Sequence, residues 1–331
     1  VRKPKHSYWK TQQDKNLRPD ALGSLMRLGV LDVGSNTVHL QVIDAHRGAR
    51  PLHSSSFKAD LRLTDYLDEF GKISSEGVNQ LFQAIRESVS EAHRLKTDEI
   101  LAFATSAIRE ATNGAEIIDS LNQAFELDLQ VLSGEEEARF TFLAVRRWLG
   151  WSSGNLLVID IGGGSLEIGA GEDESPEIAH SFPLGAGRMT RQFLTGDPFS
   201  EKSLTALERH FKETLVPVIE ALAPFRGFRA VGTSKTLRTL ARLTQEFLGD
   251  VDGEITPRAL EVMTKRLMAM SSKEREQLPK LSRARANQVV AGAMLARHVV
   301  RQLELSAIEI CPWALREGVV LRRLDWLDNL N

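Results

Sequence analysis

Between Leu156 and Gly169 four apolar residues run up to Asp160, three glycines follow, and an extended apolar pattern resumes after Ser165. Apolar, β-branched runs on either side of a glycine cluster predict a hairpin. The segment from Leu28 to Val42 repeats the pattern. Shifted by 128 positions, Asp32 falls on Asp160, Gly34 on Gly162, Ser35 on Gly163, Asn36 on Gly164, Thr37 on Ser165 and His39 on Glu167. A repeat at that spacing predicts two similar halves, each presenting one turn of small residues. Consecutive glycines are costly in conformational entropy, so the backbone is expected to come close to something there. Exposed N–H groups in such a turn suit a phosphate. Two of them facing each other across a cleft would grip a phosphoryl group from both sides.

The remaining periodicity fills in two α/β halves of a βββαβα kind. Val78, Leu81, Ile85, Val89 and Ala92 predict a helix from Ser75 to Leu95. An apolar strand then ends at Thr105 and a helix opens near Ser106, so Thr105 and Arg109 lie at a strand's C-terminal end, where ligands bind in open α/β sheets. Leu127 to Leu132 reads as a short strand. Ser133, with Glu136 three residues on, has the form of a capping box. Glu137 instead leads the row Phe140, Thr141, Ala144 and Trp148 and points inward, where partial burial raises a carboxyl's pKa and improves it as a base. In the second half, Phe228 to Arg238 reads as strand, Gly-Thr-Ser-Lys turn and helix. Thr233 stands where a Walker lysine would be, which excludes that mechanism but leaves an anion site at a helix N-terminus. Helices from Thr256 to Met270 and from Ala284 to Leu303, a strand from Ala307 to Cys311 and a closing amphipathic helix complete the chain.

The 331 residues carry a formal net charge of −2, with 42% hydrophobic and 26% charged residues, as in ordinary soluble proteins. No global positive field draws in a polyanion, so nucleic acid is not an expected partner and any phosphate site must use local cations. The candidates are Arg188, Arg191, Lys235, Arg238, Arg283 and Arg285, all in the second half near turns or helix starts. The single cysteine, Cys311, excludes an intramolecular disulfide and is expected to be buried; the eight histidines show no zinc spacing. No run approaches a membrane span of about 18 apolar residues. Residues 1–27 read as a mobile tail, and a cytoplasmic protein is expected.

The segments Asp32-Val-Gly-Ser-Asn-Thr, Ala104-Thr-Ser-Ala-Ile-Arg109, Ser133-Gly-Glu-Glu-Glu-Ala-Arg139 and Asp160-Ile-Gly-Gly-Gly-Ser-Leu-Glu167 resemble, in order and spacing, the exopolyphosphatase and guanosine pentaphosphate phosphohydrolase family. Pro183-Leu-Gly-Ala-Gly-Arg188 and Leu315-Arg-Glu-Gly318 extend the resemblance. It implies two actin-like (ribonuclease-H-like) domains of the sugar kinase, heat-shock protein and actin superfamily with a cleft between them. The expected boundaries are 28–130 plus 316–331, and 131–315. The chain has no His-Asp pair of the helical module that longer members add, so it resembles the short, two-domain branch.

The resemblance further implies a general base in Glu137 and a second acid in Glu167. Phosphate loops would be Gly34, Ser35, Asn36 and Thr37, and Gly162, Gly163, Gly164 and Ser165, with Thr105 beside a phosphate-gripping Arg109. A metal would sit at Asp32, Asp160 and Glu167, Mg²⁺ or Mn²⁺ in its place, and a homodimer is compatible. The implied activity is removal of terminal phosphate from inorganic polyphosphate. Alternatives are a guanosine pentaphosphate 5′-phosphohydrolase, a sugar- or acetate-type kinase, and a non-catalytic polyphosphate sensor that would not need Glu137 and Glu167 together.

Overall fold

In the computed structural model, which describes residues 26–46, 51–279 and 281–328, the first apolar runs form β1 (Met26–Val33), β2 (Thr37–Ala45) and β3 (Leu52–Asp60). Helix α1 (Ser75–Arg94) follows, its N-terminus capped by the Ser74 hydroxyl, which accepts from the Gly77 N–H. Then come β4 (Glu99–Ala104), the single turn α2 (Ser106–Arg109), α3 (Gly114–Phe125) and a two-residue β5 (Gln130–Val131). The sheet order is β3-β2-β1-β4-β5, antiparallel through β1 and parallel from β1 to β5. Leu31, Val33, Leu40, Leu81, Ile85, Ala102 and Leu121 lie in its core. The strand expected over Leu127–Leu132 is shorter because Asn122 reaches back and accepts from the Leu129 N–H, so pairing begins only at Gln130.

The second set opens with α4 (Gly134–Leu149), then β6 (Leu156–Ile161), β7 (Leu166–Gly171), β8 (Ile178–Phe182), α5 (Ala186–Phe193) and α6 (Glu201–Ala221). Next are β9 (Arg229–Gly232), α7 (Ser234–Leu248), β10 (Glu254–Ile255), α8 (Pro257–Ala269) and α9 (Ser272–Glu276). Helix α10 (Arg283–Gln302), β11 (Ile308–Ile310) and α11 (Leu315–Asp328) close it. Its sheet runs β10-β11-β9-β6-β7-β8. Read from β8, this is the first sheet's order with β10 added at the far edge. The repeat is therefore real in three dimensions, and the fold is two-domain and actin-like. Register agrees to the residue: Asp32 pairs with His39, and Asp160 with Glu167.

Cα packing divides the chain into two units, Gly134–Gly318 and the remainder, so the closing helix starts in the span of one and ends in the other. Within the first unit Arg323 Nε donates to Glu99 Oε2 at 3.0 Å, both groups buried, which ties the end of α11 to the start of β4. Helices α3, α6 and α9 had no counterpart in the periodicity reading; α6 carries Pro217 in its interior and α9 is five residues long. The expected tail, 1–27, lies outside the described residues as far as residue 25. Cys311 is buried, and burial pushes its thiol up to about 12.

Candidate active site

Each hairpin turn is closed by the same hydrogen bond, Gly34 N–H to the Thr37 carbonyl and Gly162 N–H to the Ser165 carbonyl, both at 2.9 Å. The turns are then pinned through their carbonyls. In the second unit the Ala186 and Arg188 amides, at the start of α5, donate to the carbonyls of Gly162 and Gly163, and the Arg188 guanidinium to that of Gly164 at 2.8 Å. Gly185 makes this contact possible: a Cβ there would lie 2.3 Å from the Gly164 carbonyl carbon. In the first unit the carbonyl of Asn36 accepts from both Leu61 and Arg62 N–H. No described residue takes a hydrogen bond from the amides of Ser35, Asn36, Gly163, Gly164 or Ser165. Carbonyls committed to protein and amides left over are what a phosphate cradle requires.

Beneath the second turn a polar row crosses the sheet at one level. Asp160 and Glu167 are direct partners on β6 and β7, and Glu167 is opposite Ser181 on β8, so their side chains share a face. Ser181 Oγ donates to Glu167 Oε1 at 2.8 Å, and Thr233, the residue after β9, donates to Asp160 Oδ2 at 2.5 Å. Burial pushes the Asp160 carboxyl above the usual carboxylate range; the Thr233 hydroxyl and the Arg238 charge pull the other way. The Glu167 face of β7 also carries Gly169, whose missing side chain admits α4: a Cβ there would sit 3.2 Å from Phe142 and 3.5 Å from the Ala138 carbonyl. The start of α4 therefore lies over the strand that bears Glu167. Glu137 is 6% exposed, Glu136 is intermediate and Glu135 open to solvent, as the helical register required.

In the first unit Asp32 pairs across β1 and β2 with His39, so the acid pair of the second unit has no acid pair as counterpart. Ser35 Oγ lies 2.9 Å from Ser106 Oγ, both buried. Thr105 is buried at the end of β4, its N–H donating to the Val33 carbonyl. Arg109 is not a solvated helix residue: it is part-buried and donates to the Leu132 carbonyl at 2.8 Å. Among the described residues no cluster of three His, Cys, Asp or Glu could hold an ion. Asp160 and Glu167, neighbouring carboxylates on one face of the sheet, are the kind of donor pair that Mg²⁺ takes, its shell being completed by water and phosphate oxygens.

The proposed cationic stripe divides. Arg188, Lys235 and Arg285 stand at the N-terminal ends of α5, α7 and α10, which converge where a Cβ on Gly187 would meet Gln288 and one on Gly292 would meet Thr236. Arg285 lines a small pocket there with Thr236, Thr239 and Gln288. Arg238 donates to the Ser234 carbonyl at 3.0 Å and acts on Asp160. Arg191 is exposed. Arg283 is 83% exposed and pairs with Glu276 at 3.1 Å, which makes it an ordinary surface ion pair and removes it from the stripe. Periodicity missed Ser106, Ser181 and Thr233. The repeat held the signal for two of them, because Thr105-Ser106 and Thr233-Ser234 are also 128 residues apart.

Comparison with known proteins agrees with this architecture. The chain is 48% identical over 312 residues to exopolyphosphatase 1 of Mycobacterium tuberculosis, covering 91% of this chain and 89% of that protein. It is 27% identical to a guanosine-5′-triphosphate,3′-diphosphate pyrophosphatase of Vibrio parahaemolyticus, covering 92% of this chain but 61% of that one. The crystal structure of an exopolyphosphatase from Cytophaga hutchinsonii superposes with a TM-score of 0.82 at 27% identity, over 91% of this chain and 98% of that one. The model of the Ppx/GppA phosphatase family matches residues 42–327. On its repeat, its site and these likenesses, the chain belongs to the Ppx/GppA phosphatase family.

Proposed function

We propose that this protein is an exopolyphosphatase that releases terminal phosphate from inorganic polyphosphate. The observation that carries the reading is the buried Glu137, set at the start of a helix that packs over β7, the strand on which Glu167 faces Asp160. Glu137 accepts a proton from water as the water oxygen bonds to the terminal phosphorus. The bridging P–O bond breaks, and the shortened chain leaves with its electron pair. The free amides of the second unit's glycine turn neutralise charge on the phosphoryl oxygens, which is most of what such a transfer asks of a protein. Asp160 and Glu167 would hold Mg²⁺, which supplies Lewis-acid stabilisation of those oxygens. Arg188, Lys235, Arg238 and Arg285 would carry the rest of the polyanion. The likeness to the mycobacterial exopolyphosphatase supports this substrate over guanosine pentaphosphate. The test is phosphate release from polyphosphates of several lengths and from guanosine pentaphosphate, each with Mg²⁺. Release from polyphosphate is expected; release from the nucleotide alone would overturn the reading.

A further inference from the structure

Thr233 is in an unusual position for a threonine that begins a helix. As N-cap of α7 it would ordinarily turn its hydroxyl onto the helix's own amides. It makes no such bond. Its hydroxyl goes to Asp160 Oδ2 at 2.5 Å, and the residue is 0% exposed. Capping falls to Ser234, whose Oγ accepts from the Leu237 N–H at 3.3 Å. Ser234 holds φ at +60°, a left-handed conformation costly for a residue with a Cβ. Local helix chemistry is thus set aside, and the backbone strained, in favour of one bond to one carboxylate. No other donor among the described residues hydrogen-bonds that carboxylate.

We propose that Thr233 is a positioning residue that fixes the rotamer of Asp160, committing one oxygen to the protein so that the other is presented to the divalent cation. The inference rests on the reaction proposed above. Partners that orient a ligating carboxylate typically contribute about 10–100-fold to metal affinity or activity. Thr233→Val keeps the shape and removes the hydroxyl; Thr233→Ser keeps the hydroxyl. Mn²⁺ binding to the substrate-free full chain, followed by electron paramagnetic resonance, reports the role without turnover. The Val variant is expected to bind Mn²⁺ at least about tenfold more weakly, the Ser variant within about twofold of wild type. At saturating metal, kcat of the Val variant should fall while KM for polyphosphate stays near wild type.

Thr233→Ala serves in the same comparison if the Val variant's melting curve shows disturbed packing. Wild-type Mn²⁺ affinity in the hydroxyl-free variant, or a Ser variant as weak as Val, overturns the inference and leaves the reaction standing. A wild-type chain that releases no phosphate overturns the reaction and the inference with it.

Discussion

Gly318→Ala tests whether the site depends on the crossing of α11 and α4 more than on any contact with substrate. A Cβ at Gly318 would lie 1.9 Å from the Phe140 carbonyl oxygen, 2.5 Å from its carbonyl carbon and 3.1 Å from its Cα. Ordinary contact begins near 3.4 Å, so backbone must move against backbone by about 1.5 Å. No flexible side chain is present to absorb it. Overpacking of this kind costs about 1–3 kcal/mol. Phe140 is three residues after Glu137, one helical turn away, so a rigid shift of α4 carries the carboxylate with it. Displacing a catalytic group by about 1 Å can cost about 10²-fold in rate. The expectation is therefore a variant that folds, melts somewhat lower, and has kcat reduced by about two orders of magnitude. The matched control is Gly77→Ala on α1 of the other unit, whose Cβ would lie 2.5 Å from Tyr66 Cβ. It should melt lower with kcat nearly intact. Phosphate release at saturating polyphosphate, below both melting temperatures, decides it. Wild-type kcat in Gly318→Ala, or an equal loss in Gly77→Ala, would refute the reasoning.

Glu137→Gln keeps size and removes the base, so kcat should fall by about 10²–10⁴-fold with little change in KM, while Glu136→Gln stays mild. The reverse pattern would place the base on the neighbouring residue. Burial raises the folded-state pKa of Asp160 above its ordinary 3.8, so the stability it contributes is fully present below that pH and is lost as pH rises through the folded value. Permanently neutral Asp160→Asn should accordingly melt higher than the metal-free wild type at neutral pH, with the difference closing in acid; activity should be lost. Neutralising Lys235 and Arg238 together should raise KM for long polyphosphate and weaken its dependence on salt. Arg283→Ala, which breaks only the exposed pair with Glu276, should leave both unchanged, and equal losses from the two would dissolve the distinction drawn from burial.

Much of the site was legible because it rests on local, repeated chemistry. The two Asp-x-Gly hairpins, their register and the inward turn of Glu137 follow from period 2, period 3.6 and a fixed offset, none of which needs a partner from elsewhere in the chain. The Asp160–Glu167 pairing lies within the same hairpin, the two residues seven positions apart and facing each other once the turn closes over Gly162–Ser165. What only tertiary structure decided were the contacts between segments remote in sequence. Arg109 could be a solvated helix residue or an anchored one until Leu132 was seen to accept from it. Arg283 and Arg285 are two residues apart and look alike in sequence, yet one pairs with Glu276 at the surface and the other lines a pocket between α7 and α10. Thr233 shows the limit most clearly. Its sequence neighbourhood reads only as a turn leading into a helix, and its hydroxyl serves a carboxylate 73 positions earlier. A side chain's local preference is worth about 1 kcal/mol, and leaving a buried hydroxyl or carboxylate unpartnered costs more than that. Where the two conflict, the packed interior chooses the partner.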